Sequence, residues 1–261
     1  MVDGVVPYEV RRYAAELGVL LRILSMPGSF VLLQRKRSMA KKLNLRELLN
    51  FYDCRVESSN THASAVNAVL GEDLAVALLL HYFKGLEYGV TALDQACTQG
   101  TQKGSRLDKW IAVQSASESV IYQVEIKNWS AHSIGGKVVE RPDDPDYMRE
   151  FRRKRWNHQF DSVNRVPSQA GTLKVLTKMR VPDQYSSTHS QKPLLCFWEP
   201  LHKDGDSEAL FQVEVVSEAF TALKVFSMSN YVSLLLNTTE TLEVEMPDAE
   251  ARTDWLQRLY S

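Results

Sequence analysis

Cysteine is scarce in this chain, with three residues (Cys54, Cys97 and Cys196) among 261. An odd number without ligand-like spacing excludes a disulfide framework and a structural zinc site, and it suits a reducing cytoplasm. Long apolar runs are missing too. LAVALLLHYF is too short to span a bilayer, and LGVLLRILSMPGSFVLL is interrupted by Arg22 and Pro27. The opening MVDGVVPYEV lacks the basic-then-apolar order of a secretory signal. There is no Gly-x-x-x-x-Gly-Lys-Ser/Thr loop to cradle a nucleotide, GTQKGS falling short of it, and no Gly-x-Ser-x-Gly elbow. His62, His81, His132, His158, His189 and His202 are scattered without the spacing of zinc ligands. No internal repeat indicates a solenoid. These absences point to a soluble cytoplasmic protein without a membrane partner.

What is present is ordinary globular material, 44% hydrophobic and 24% charged, with a formal net charge of -1. The charge is unevenly spread. Residues 1–50 hold nine Lys/Arg against four Asp/Glu, whereas residues 201–261 hold four against eleven. A basic end and an acidic end are compatible with a nucleic-acid partner without requiring one. Apolar spacing at three and four predicts a helix over 8–24, ended by Pro27 and Gly28, then a basic run and a second helix around Leu45, Leu48 and Leu49. Residues 1–58 therefore read as a helical N-terminal extension and residues 59–261 as the core domain. Within the core a helix is expected up to Gly85, then strands near Val90–Leu93, Arg106–Gln114 and Val120–Asn128. Further helices are expected in YMREFRRKRWNHQFDSV, SQAGTLKVLTKM and DAEARTDWLQRLY, and further strands in PLLCFWEPL, LFQVEV and ALKVFSM. Helices around a mixed sheet make the class α/β.

The stretch VIYQVEIKNW carries the chemistry. Alternation along a strand puts Tyr122, Val124 and Ile126 on one face and Gln123, Glu125 and Lys127 on the other. Alone, a Glu-x-Lys triplet reads as an ion pair on a solvated strand. The preceding strand changes this, because a hairpin turning near Ser117 pairs residues whose numbers add to about 234, with Cβ atoms roughly 5 Å apart. That register brings Asp108 within one position of Glu125. Two carboxylates so close repel unless a cation lies between them, and a hard cation such as Mg²⁺ prefers oxygen ligands. Lys127 beside it would polarise an attacking water or offset phosphate charge.

RLDKW with Asp108, VEIKNW with Glu125 and Lys127, and the earlier GEDLAVALLLHYF with Glu72 resemble the PD-(D/E)xK nuclease superfamily, with its restriction-endonuclease-like fold. The resemblance covers roughly Asn60 to Trp129, and Leu107 stands where many members have proline. It implies a restriction-endonuclease-like mixed β-sheet flanked by helices and a metal-dependent hydrolase cutting phosphodiester bonds in nucleic acid, DNA before RNA. It also implies a metal site of Asp108, Glu125, the carbonyl of Ile126 and Glu72, holding Mg²⁺ with Mn²⁺ able to substitute, and Lys127 orienting the nucleophilic water.

Beside such a centre, Arg149, Arg152, Arg153, Lys154 and Arg155 are expected to contact backbone phosphates. Gln159 resembles a helix glutamine that follows the acid-x-Lys strand in some members. Arg35, Lys36, Arg37, Lys41 and Lys42 form a second basic surface. The alternative is a noncatalytic nucleic-acid-binding or scaffold protein on the same sheet, and a homodimer or protein partner stays open.

Overall fold

The run Ser119–Lys127 has no glycine or proline and is rich in Val, Ile and Tyr, the side chains that pack well on a pleated surface. It forms the strand on which the rest is assembled. In the computed structural model of the protein, the residues described are 40–53, 69–70, 72–93, 108–127, 133–134, 137–141, 143–160, 180–198, 208–214 and 220–260. The elements in chain order are β1 (Lys41–Asn44), α1 (Leu45–Asp53), α2 (Asp73–Gly85), β2 (Gly89–Leu93), β3 (Lys109–Gln114), β4 (Ser119–Lys127), β5 (Ser133–Ile134) and β6 (Lys137–Val138). They continue with α3 (Pro145–Phe160), β7 (Ser190–Phe197), β8 (Leu210–Glu214), β9 (Ala222–Ser227), α4 (Met228–Leu236), β10 (Thr241–Val244) and α5 (Pro247–Tyr260). The helices expected over 8–24 and in SQAGTLKVLTKM lie outside the described residues, as do Cys54, Cys97, Trp129 and His132.

The architecture is mixed α/β. A six-stranded sheet runs β2-β3-β4-β7-β9-β8, and β1–β10 and β5–β6 form two small ribbons. Strands β2, β3 and β4 make an antiparallel meander, β4, β7 and β9 are parallel, and β8 returns antiparallel to β9. A parallel pair needs a long crossover, and α3 lies within the one between β4 and β7. The β3–β4 turn is local. Ser115 N–H donates to Glu118 C=O at 2.9 Å, and Glu118 N–H donates to Ser115 Oγ at 3.0 Å.

Both faces of the sheet are covered. One carries Val120, Tyr122, Val124 and Ile126 of β4 under α1, α2 and α4, with Leu45, Leu78, Phe83, Met228 and Val232 in the same cluster. On the other, Met148 and Phe151 of α3 pack on Leu195, Phe197, Leu223 and Val225, and Trp110 and Ile121 pack near Val181 and Tyr185. Among the described residues no helix is long and apolar enough to cross a membrane.

The expected boundary at 58 needs correction. Lys41–Asn44 pairs antiparallel with Thr241–Val244, and Leu45, Leu48 and Tyr52 of α1 are core residues. This stretch belongs with the core because its partner strand lies at the far end of the chain, where local periodicity carries no signal. The sequence reading also left α4 and β10 unassigned. Helix α4 is opened by Ser227, whose Oγ accepts from Asn230 N–H at 3.3 Å.

Tyr52 is stacked on Trp198 with ring centroids 4.0 Å apart, and both are fully buried. Replacing either by alanine is expected to cost about 3–5 kcal/mol. The double variant should cost less than the sum by about 1 kcal/mol, the value of the stack itself. Urea unfolding of the four proteins measures this, and strict additivity would show that the rings act independently.

Candidate active site

The β3–β4 register pairs Lys109 with Val124 and Gln114 with Ser119, so the next position sets Asp108 across from Glu125. Strand β3 begins at Lys109, which leaves the next amide of β4 without a ladder partner from that strand. Asp108 supplies it, its Oδ2 accepting from Ile126 N–H at 2.6 Å. A carboxylate in that role makes a charge-assisted bond and is fixed against the strand end.

Glu125 is 3% exposed, on the sheet face toward α3, and Lys127 is bonded through Nζ to its Oε1. The other oxygen, Oε2, is buried and has no hydrogen-bond partner. Burial first, and then the nearby Asp108 carboxylate, raise the Glu125 carboxyl while Lys127 pulls against both, which leaves it at about 7. Glu72 adds a smaller push upward. Asp108 also reaches Cys196, whose thiol is raised first by full burial and then by that carboxylate. Cys196 is the β7 partner of Ile126.

The structure thus brings Asp108, Glu125 and Lys127 together as expected. Glu72 stands at the N-cap of α2, exposed, and its side chain does not cap the helix. Its neighbour fixes it there, since Asp73 Oδ2 accepts from Asp248 N–H at 2.6 Å and Ala249 N–H at 2.9 Å and ties the start of α2 to the start of α5. Among the described residues no three His, Cys, Asp or Glu side chains converge as a ligand group. The carboxylates that act on one another here are Asp108 and Glu125, with Glu72 contributing a smaller field. A hard divalent cation is commonly held by one or two carboxylates and water, and the buried, unpartnered Oε2 of Glu125 fits that use. The Ile126 amide is spent on Asp108, and the Ile126 carbonyl belongs to the peptide leading into Lys127.

The five basic residues of α3 expected at backbone phosphates do not share one exposed face. Arg155 is 8% exposed and Arg152 half-buried. The outer cations are paired within the helix, Arg149 with Asp146 at 3.0 Å, Arg153 with Glu150 at 2.7 Å and Lys154 with Glu150 at 3.4 Å. The Gln159 side chain and residues 35–37 lie outside the described residues. Lys41, from the second basic surface, pairs with Glu250 at 3.3 Å.

Sequence reasoning missed two supports of the site. Gln123 is fully buried on the Glu125 face and accepts from Gln191 Nε2 at 2.9 Å. Trp198 N–H donates to Lys127 C=O at 3.4 Å and pins the end of β4. Both partners come from β7 and its end, about 70 residues downstream, so nothing local announced them. Compared with protein-family models, curated proteins and solved structures, the chain matches none.

Glu125 yields a pH prediction. Its folded value near 7 lies above the unfolded value near 4.5, so between these the folded state binds more protons. Its contribution to stability therefore falls as pH rises through that window. Above pH 7 the full loss, about 3 kcal/mol, applies. Glu125→Gln should stabilise the metal-free protein by about 1–3 kcal/mol at pH 8 and leave it little changed at pH 5. Denaturant titrations at both pH values test this, and equal effects at the two would remove the buried charge as the cause.

Proposed function

We propose that the protein is a metal-dependent nuclease hydrolysing phosphodiester bonds, with DNA as the substrate and a restriction-endonuclease-like fold. The observation that carries this reading is the Glu125 carboxylate, buried beside Asp108 with Lys127 on one oxygen and the other oxygen unpartnered. Such a group is costly to bury and is offset by a cation. Element order supports the reading as well, with a helix bearing Glu72, an antiparallel meander bearing Asp108 and Glu125, then a helix and a parallel strand.

Asp108 and Glu125 would hold the ion, Mg²⁺ or Mn²⁺, which when bound lowers the pKa of water and stabilises charge on a phosphoryl oxygen. The protein's own groups do the rest. Asp108 is oriented by the Ile126 amide, so its carboxylate faces the site without searching rotamers. Lys127, paired with Glu125 and with a quarter of its side chain exposed, would have its ammonium within reach of both a water and a phosphate. There it orients the attacking water and offsets charge on the pentacoordinate phosphorus. Glu72, exposed at the start of α2, adds negative potential that favours a divalent ion.

Cleavage of plasmid, linear duplex, single-stranded DNA and RNA with Mg²⁺, Mn²⁺ or EDTA is the test. Metal-dependent cutting of DNA is expected, reduced by about 10²–10³ in Lys127→Ala. Asp108→Asn, which keeps an oxygen for the Ile126 amide, should fold normally and lose activity. Cutting by both variants at the wild-type rate would defeat the assignment. Binding without cutting in every metal would favour the noncatalytic alternative.

A further inference from the structure

Helix α3 sorts its charges by direction. Met148 and Phe151 pack into the sheet-side cluster, and Arg155, one turn beyond Phe151, is itself buried. Arg149, Arg153 and Lys154 point outward with side chains 70%, 50% and 69% exposed. In the middle of this outer group stands Glu150. Its Oε2 accepts from Arg153 Nε at 2.8 Å and its Oε1 from Arg153 Nη2 at 2.7 Å, with Lys154 Nζ at 3.4 Å from Oε1. The Arg153 hydrogen bonds hold the Glu150 carboxyl down to about 2, and Lys154 adds to the effect. A guanidinium fork on two oxygens is the geometry in which arginine also takes a phosphate. Glu150 therefore sits where a phosphate would.

We propose that the outer face of α3 binds the phosphate backbone of duplex DNA and is held in check by Glu150, whose carboxylate occupies Arg153 and Lys154 until a phosphate replaces it. The choice of DNA rests on the nuclease reading, since α3 covers the sheet face that carries Glu125 and Lys127. The exchange is physically reasonable because exposed ion pairs contribute little to stability. Each phosphate contact, by contrast, releases condensed counterions. A polymer of phosphates therefore displaces Glu150 at low salt and yields at high salt. The buried Arg155 takes no part in this exchange.

The experiment is anisotropy of a labelled duplex with the full chain in EDTA, titrated between about 50 and 200 mM salt. Glu150→Gln is expected to tighten binding about threefold to tenfold and to steepen the log–log salt slope by about 1, while Arg153→Gln weakens binding and flattens it. Glu243→Gln makes the same charge change at the exposed position of β10, between Leu242 and Val244 of the cluster on the opposite sheet face, and should do neither. An unchanged Glu150→Gln, an equal gain in Glu243→Gln, or tighter capture by anionic vesicles but not by duplex would each overturn the proposal. With EDTA present no cutting enters the measurement. Cleavage by wild type with an inert Glu150 would sink this inference alone, and a responsive Glu150 without cleavage would sink the nuclease reading alone.

Discussion

The parallel pairing of β4 with β7 is the constraint on which the rest depends. Parallel neighbours require a crossover, and here it includes α3, whose Met148 and Phe151 cover Leu195 and Phe197. With α1, α2 and α4 on the opposite face, β4 is paired on both edges and covered on both sides. Strands in that position are normally continuous apolar runs. VIYQVEIK breaks the rule at Gln123 and Glu125, and each break is answered differently. Gln123 is matched by Gln191 from the adjoining strand. Glu125 is matched on one oxygen only.

The two faces divide the work. The face under α1, α2 and α4 holds Tyr52 on Trp198, Phe83 on Tyr122 with centroids 5.4 Å apart, and most of the fully buried aliphatics. It is where stability resides. The face toward α3 carries the buried polar groups, and Asp108 joins the two roles. Its carboxylate completes the edge of β4 as a backbone carbonyl would, and it raises the proton affinity of Glu125 at the same time. Removing it would disturb a strand end as well as an electrostatic field, so loss of function in an alanine variant alone carries two meanings.

Legibility in the sequence followed the distance over which each feature is determined. The β3–β4 hairpin could be read because five residues, Ser115–Ser119, set its register, and that register carried Asp108 to Glu125. The acid-x-Lys alternation was equally local. What escaped was the burial of that polar face, which depends on a helix beginning at Pro145 and a strand beginning at Ser190. The β1–β10 ribbon escaped for the same reason, as four residues at one end of the core pair with four at the other. The internally paired outer row of α3 is a different case. Asp146 and Glu150 stand three and four residues from their cations, so the pattern was in the sequence, hidden by reading five basic residues as one patch.

A buried carboxylate that contributes unfavourably by about 3 kcal/mol is a large fraction of the 5–15 kcal/mol that separates a folded domain from its unfolded chain. The Lys127 ammonium lessens the cost without cancelling it, since the carboxyl still sits near 7. Mutual repulsion with Asp108 and Glu72 means the group is stressed by charge as well as by lost water. Moving Asp108 away would relieve part of this stress, but the Ile126 amide holds it in place. Backbone hydrogen bonding thus enforces an electrostatic conflict that the apolar face must offset. A divalent cation would relieve all three sources of strain at once, because it replaces lost water, screens the carboxylates from one another and takes the free oxygen.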